Sequence, residues 1–114
     1  MRLRKHPDDM QEKEVLLIAR ISDALAHPAR IKMFRYIMEE NREFRKVCNK
    51  DIVEHFDYAQ ATVSQHIKKL VQAGLLEAQK VDRSTYYYVH LGTLNDYLTA
   101  TRKFENMPSK ESER

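Results

Sequence analysis

The stretch of residues 59–74 constrains the fold of this chain more than any other part of it. Apolar side chains recur on one face at helical spacing, namely Val63, Ile67, Leu70 and Val71, followed by Gly74. The other face carries hydroxyl, amide and ammonium groups from Thr62, Gln65, Lys68, Lys69 and Gln72, with Ser64 and His66 at the flanks. Groups of these kinds bind base edges and phosphates in the major groove of DNA. The stretch therefore predicts an amphipathic helix with one buried face and one face toward DNA.

A short segment before this helix completes a helix-turn-helix pattern. Residues 49–56 have apolar side chains at helical spacing, and residues 57–60 have about the length of the turn in that motif. The predicted contacts to base edges or adjacent phosphates are Gln60, Thr62, Ser64 and Gln65. The predicted contacts to phosphates or the minor groove are Lys68, Lys69 and Arg83, although adjacent lysines are also typical of an ordinary solvated helix face. His66, at the edge of the helix, is predicted to pack or to contact a phosphate.

The flanking segments predict three more helices and a hairpin. Residues 9–25, 28–40 and 94–106 have apolar side chains at helical spacing. The inward side chains of the 28–40 helix are predicted to be Ile31, Phe34, Ile37 and Met38. Residues 75–81 and 85–91 have the pattern of two strands, which would form a hairpin with Arg83 at its tip. The predicted fold is therefore mainly α with a β-hairpin wing, a winged helix-turn-helix with about five helices.

The first predicted helix is apolar over more than one face. One ridge contains Leu17, Ile21 and Leu25, and a second contains Val15 and Ile18. Because so wide an apolar arc in a small protein needs partners on two sides, one side is predicted to meet the core and the other a second subunit. The predicted homodimer contact, through the first and last helices, comprises Leu17, Ile21, Leu25, Leu94, Tyr97, Leu98 and Thr101. The alternative is a helix buried entirely in the core of its own subunit.

Length and composition agree with one small intracellular domain. A chain of 114 residues allows a single modest core, and a net charge of +3 is compatible with a nucleic-acid partner without establishing one. A single cysteine excludes an internal disulfide, and no apolar run approaches the length of a membrane span. We expect a cytoplasmic protein with a flexible N-terminus over residues 1–8, a DNA-binding and dimerisation domain over 9–106, and a disordered tail over 107–114.

Three segments, in this order and at this spacing, resemble the ArsR/SmtB family of small winged-helix repressors. Residues 24–31 are similar to the family's ALA-x-P-x-R segment, and residues 62–76 are similar to its recognition helix and the turn after it. In the wing, Arg83 precedes Tyr86 and Tyr87 as the family's arginine and tyrosine do. The resemblance covers about residues 15–104. It implies a homodimer that binds double-stranded operator DNA at half-sites about one helical turn (~34 Å) apart, and that releases the DNA when an inducer binds.

The chain departs from the family at its metal-sensing sites. Metal-sensing members have a Cys-x-Cys pair at the start of the third helix, and the matching positions here are Cys48, Asn49 and Lys50. A lysine ammonium group is no ligand at neutral pH. A second family site uses Asp and His on the final helix, where this chain has Asp96 and no histidine. We therefore expect no bound metal or other cofactor. Cys48 is a candidate redox sensor or, alternatively, a partly buried structural thiol.

Catalytic motifs are missing from the sequence. It has no Gly-rich phosphate loop, no HExxH segment and no paired-cysteine zinc spacing, so we do not expect an enzyme. The favoured hypothesis is a sequence-specific, dimeric DNA-binding repressor that an unknown signal releases from its operator. The alternatives are a winged helix that docks a protein partner and a repressor that responds to oxidation of Cys48.

Overall fold

A computed structural model of the chain describes residues 9–107. In chain order they form α1 (Glu12–Ala24), α2 (Pro28–Arg42), β1 (Val47–Cys48), α3 (Asn49–Phe56), α4 (Gln60–Gln72), β2 (Leu76–Val81), β3 (Ser84–Val89), α5 (Leu91–Arg102) and a 3₁₀ turn, Lys103–Asn106. The prediction of a mainly α winged helix-turn-helix with five helices is confirmed. The expectations for residues 1–8, and for the tail beyond residue 107, lie outside the described residues.

The ends of the central helices are set by residues with defined backbone roles. Pro28 begins α2, where its missing N–H group would have no intrahelical partner. Asp57 ends α3 in the left-handed region at φ 58°, which turns the chain toward α4. Gly74 follows α4 at φ 88°, a backbone conformation that side chains disfavour. The turns at Asp57 and Gly74 set the directions in which the chain continues into α4 and into β2.

The last helix begins earlier than the sequence pattern predicts. The pattern places its start at Leu94, whereas α5 begins at Leu91. The ring of His90 caps it, because His90 Nδ1 accepts a hydrogen bond from the N–H group of Thr93 at 3.0 Å. Histidine is an unusual N-cap residue, so this start of the helix was not predictable from local sequence signals.

The three strands form one antiparallel sheet in the order β1-β3-β2. The long hairpin pairs Leu76 with Val89 at its base and Val81 with Ser84 at its tip. β1 adds Val47 opposite Tyr87. This strand was not predicted, since two residues show no periodicity. It attaches the base of the hairpin to the start of α3.

One hydrophobic core joins the helices to the sheet. Its fully buried side chains are Ile21, Met33, Ile37, Val47, Ile52, Val63, Ile67, Leu70, Leu75 and Leu76. The prediction that Ile31 faces inward is wrong: its side chain is 50% exposed, and Met33 occupies the core instead. The core therefore anchors α4 through the apolar face that the sequence identified.

α1 and α5 pack against each other beside this core. The Ser22 and Tyr97 hydroxyl groups lie 3.0 Å apart, and Lys103 Nζ donates to Glu14 Oε1 at 2.8 Å. A hydrogen bond from the Gln11 backbone is the main cause that lowers the pKa of Glu14, and the Lys103 ammonium lowers it further. These two polar contacts hold the two helices together as a pair.

Candidate nucleic-acid interface

The predicted DNA contacts on α4 share its solvent-exposed side. The side chains of Gln60, Thr62, Ser64, Gln65, Lys68 and Lys69 are all exposed. On the opposite side of the helix, Val63, Ile67 and Leu70 are buried in the core. A rigid helix with amide, hydroxyl and ammonium groups along one open side has the shape and chemistry of a major-groove reader.

α3 holds one flank of α4. Asn49, the first residue of α3, donates from Nδ2 to Ser64 Oγ at 3.4 Å. Since this bond uses a lone pair of the Ser64 hydroxyl, the hydroxyl proton remains for another acceptor. Asn49 was not among the predicted site residues, because the contact depends on the angle between α3 and α4, which the sequence does not encode locally.

The hairpin of β2 and β3 forms the wing. Its turn consists of Asp82, in the left-handed region at φ 56°, and Arg83, whose side chain is exposed as predicted for a tip cation. Nearer the base, Tyr87 is buried and Lys46 Nζ lies 5.3 Å from the centre of the Tyr86 ring. The wing is therefore anchored at its base and presents Arg83 at its end.

α2 holds the other flank of α4 through an arginine and two histidines. Arg30 Nε donates to His66 Nδ1 at 3.2 Å, and Arg30 Nη1 donates to the backbone oxygens of Asp23 and Ala24, each at 3.3 Å. The rings of His27 and His66 lie 4.9 Å apart. The His66 ring therefore contacts the N-terminal end of α2 at one edge of the recognition helix.

Sequence reasoning missed His27 and Arg30 as members of this site. Both belong to the segment that carries the family resemblance, and that is the one signal in the sequence that could have pointed to them. Nothing local indicates that α2 and α4 bring His27 and His66 together across a separation of 39 residues.

The pKa of His66 lies below its ordinary value. Burial is the main cause, and the neighbouring His27 and Arg30 lower it further. The neutral ring fits the observed geometry, because Nδ1 can accept the hydrogen bond from Arg30 only when Nδ1 itself is unprotonated.

We expect the free energy of unfolding to decrease as the pH falls, in part because His66 becomes protonated. Its folded-state pKa lies below the unfolded value of about 6.5, so its contribution is complete above that pH and is lost as the pH falls through the folded-state pKa. His66→Gln keeps an acceptor for Arg30 but does not titrate. Urea unfolding at pH 7.5 and pH 5.0 should show a smaller loss of stability in the variant than in the wild type. An identical loss in both proteins would contradict this role for His66.

Cys48 is half-buried at the N-terminus of α3. Its backbone N–H group donates to Asp51 Oδ2 at 2.9 Å, and its thiol donates to the same oxygen at 3.4 Å. Among residues 9–107, no group of three or more His, Cys, Asp or Glu side chains is placed to hold a metal ion. The thiol is thus part of a helix cap.

The predicted dimer residues differ in where they lie. Ile21 is fully buried in its own subunit, so it offers no surface to a partner. Leu17, Leu25, Leu94 and Tyr97 are half-buried against the same core, and Thr101 is half-buried with its hydroxyl donating to the backbone oxygen of Leu98 at 3.1 Å. Leu98 is 44% exposed. The other large apolar side chains exposed on this helix pair and the turn after it are Val15, Leu16, Leu91 and Phe104.

Within the described part of the chain, no helix combines the length and apolar character needed to cross a membrane.

Comparisons with known proteins find similarity to the family that the sequence resembles. Residues 27–78 match the sequence model of the bacterial regulatory protein, arsR family. An uncharacterized HTH-type transcriptional regulator of Bacillus subtilis (strain 168), YbzH, is 28% identical over 88 residues, which are 66% of this chain and 88% of that protein. The arsenical resistance operon repressor of Staphylococcus aureus is 32% identical over 53 residues, which are 46% of this chain and 51% of the repressor.

A solved structure shows the same fold. The homodimeric winged helix-turn-helix DNA-binding domain of a possible ArsR-family regulator from Mycobacterium bovis superposes with a TM-score of 0.64 at 15% identity, covering 96% of this chain and 94% of that one. The chain therefore has a winged helix-turn-helix fold with the polar side of α4 exposed. The chain is similar to the ArsR family over residues 27–78, and it is a DNA-binding transcriptional regulator.

Proposed function

We propose that this protein is a homodimeric repressor that binds operator DNA in the cytoplasm and is released by a signal. The observation that carries this proposal is the arrangement of α4, where six predicted contact residues line the exposed side while Val63, Ile67 and Leu70 fix the other side to the core. The repressor role is supported by the S. aureus relative, which is itself an operon repressor.

Each part of the interface has a distinct task in this proposal. Gln60, Thr62, Ser64 and Gln65, near the N-terminal half of α4, contact base edges or neighbouring phosphates. Lys68 and Lys69 supply charge to the phosphates, and Arg83 reaches the backbone or the minor groove from the wing. The bond from Asn49 orients the Ser64 hydroxyl, so Ser64 donates its proton to a DNA acceptor.

The dimer uses the outer surface of the α1 and α5 pair. Leu98 on α5 and Val15 and Leu16 on α1 are exposed apolar side chains, and the M. bovis relative is a homodimer of the same fold. A two-fold dimer places two copies of α4 on two half-sites about one helical turn apart.

A second form of regulation is suggested by the position of Cys48. Its thiol and backbone N–H group both donate to Asp51 at the start of α3, the helix that contacts Ser64. Oxidation of the thiol would remove one of those donors and disturb the cap. If Cys48 is the switch, Cys48→Ser should keep DNA binding and lose release by oxidant, whereas equal release from both proteins would exclude it.

The main test is an electrophoretic shift on the DNA upstream of the protein's own gene, repeated at several salt concentrations. We expect a specific complex whose affinity falls as salt rises, because phosphate contacts displace counterions. A random duplex of the same length is the control. Equal affinity for both duplexes would contradict sequence-specific binding, and binding to neither would favour a winged helix that docks a protein partner.

The division of tasks on α4 predicts different effects for two neighbouring exposed residues. Gln65→Ala should weaken specific binding by about 1–3 kcal/mol and leave random-duplex binding little changed, because a base-edge contact is lost. Lys69→Gln should weaken binding to all duplexes and lower the slope of log K against log salt by about 1. Titrations of both variants on both duplexes measure this, and equal losses for both variants on both duplexes would contradict the assignment.

A further inference from the structure

We propose that the groove between the N-terminal end of α2 and the exposed side of α4 binds one phosphate group. The groove has a volume of about 490 Å³. Its lining includes the cations Arg30, Lys68 and Lys69, the imidazoles of His27 and His66, and the amides of two glutamines, with no carboxylate among the lining residues. Three cations gathered by two helices without an acidic partner attract an anion.

Arg30 is held in place before any ligand arrives. Nε donates to His66, and Nη1 donates to two backbone oxygens at the end of α1. Within residues 9–107, Nη2 makes no hydrogen bond to the protein, so its two protons remain for a ligand. A fixed guanidinium group binds a phosphate oxygen with little loss of side-chain entropy.

His66 supplies a neutral donor to the same groove. Because Nδ1 accepts from Arg30, the ring proton lies on Nε2, which is therefore a donor. Burial, His27 and Arg30 lower the pKa of His66, which keeps the ring in this neutral form at neutral pH. Gln65 and Gln72 add amide donors on the α4 side. The groove thus combines several positive charges with neutral donors.

A phosphate group matches this set of donors. It carries between one and two negative charges and several oxygen acceptors in a compact tetrahedron, so it satisfies two or three cations at once. Two sources present this chemistry: a phosphate of the duplex backbone at the edge of the major groove, and a soluble phosphorylated compound. The first source rests on the proposed function. The second would compete with DNA, because Gln65, Lys68 and Lys69 also belong to the proposed DNA surface.

The direct test titrates the full-length protein with inorganic phosphate at pH 7.5, replacing chloride so that ionic strength stays constant. NMR signals of the Arg30 side chain and of the His66 ring should shift in a saturable way. Arg30→Gln should weaken this binding at least about tenfold, because a charged hydrogen bond is lost. Lys32→Gln, which removes an equal charge from an exposed site on α2 outside the groove, should bind like the wild type. Lys69→Gln is a second variant in case Arg30→Gln folds poorly.

A second measurement identifies the source of the phosphate. If a backbone phosphate occupies the groove, Arg30→Gln should lower the salt slope of duplex binding by about 1, whereas Lys32→Gln should not. Saturable phosphate binding with an unchanged slope would support the groove as a site for a soluble compound. No phosphate-specific shift and no change of slope would overturn the proposal. A wild-type protein that binds no duplex would refute the proposed function, and the phosphate titration would still decide this inference.

Discussion

Leu70→Ala should lower the free energy of unfolding by about 2–5 kcal/mol. The Leu70 side chain has no exposed surface and lies in the core on the inner side of α4. Truncation removes buried methyl groups and leaves a cavity that the surrounding helices fill only in part. Since small domains are stable by about 5–15 kcal/mol, this loss is a large fraction of the total. Urea unfolding followed by circular dichroism measures it directly.

Lys69→Ala is the matched control for Leu70→Ala. It truncates the adjacent side chain of the same helix, but one that is exposed, so its effect on stability should stay within about 0.5 kcal/mol. For DNA affinity we expect the opposite ranking. At low temperature the Leu70 variant remains folded and keeps the outer side of α4 intact, so it should bind DNA more tightly than the Lys69 variant, which lacks a phosphate contact. A Leu70 variant as stable as the Lys69 variant would mean that α4 is not anchored as the structure shows.

The recognition helix was predicted well because one physical pattern determines it. Val63, Ile67 and Leu70 recur at the spacing of a helix with one buried side, and Gly74 marks its end. The opposite side of this helix is polar and therefore faces solvent, so the exposed positions of Gln65 and Lys68 follow from the same periodicity. The segment therefore carries its own information about which side chains face solvent.

Features that depend on contacts between distant elements were not predictable in this way. α1 is apolar over a wide arc, and periodicity alone does not say which ridge meets the core. Ile21 turned out to face inward, while Leu16 is 59% exposed. The hydrogen bond from Arg30 to His66 and the pairing of β1 with β3 likewise arise only when the helices have packed. For α2, Met33 rather than Ile31 is buried for the same reason.

Because Ile21 is buried in its own subunit, the candidate dimer surface must consist of other side chains of α1 and α5. A subunit interface needs side chains that are exposed in the single subunit, and an apolar set of them is unfavourable in water unless a partner covers it. On α1 and α5 that set contains Val15, Leu16 and Leu98. In a two-fold dimer the same patch is used by both subunits, so each side chain in it occurs twice in the contact.

In the proposed dimer, Leu16→Glu should therefore separate the subunits and reduce affinity for the proposed operator by about 10²–10⁴-fold. One substitution places two carboxylates in the interface, where desolvation of unpaired charge costs several kcal/mol. Once the subunits separate, the two recognition helices no longer bind as one molecule, and the gain in affinity from linking two binding modules is lost.

Sedimentation velocity gives the mass of the Leu16 variant, and titration of the upstream duplex gives its affinity. Ile31→Glu is the matched control, because it makes the same kind of change at an exposed site on α2 and should leave the protein dimeric. A Leu16 variant that sediments as a dimer with wild-type affinity would place the subunit contact elsewhere on the molecule.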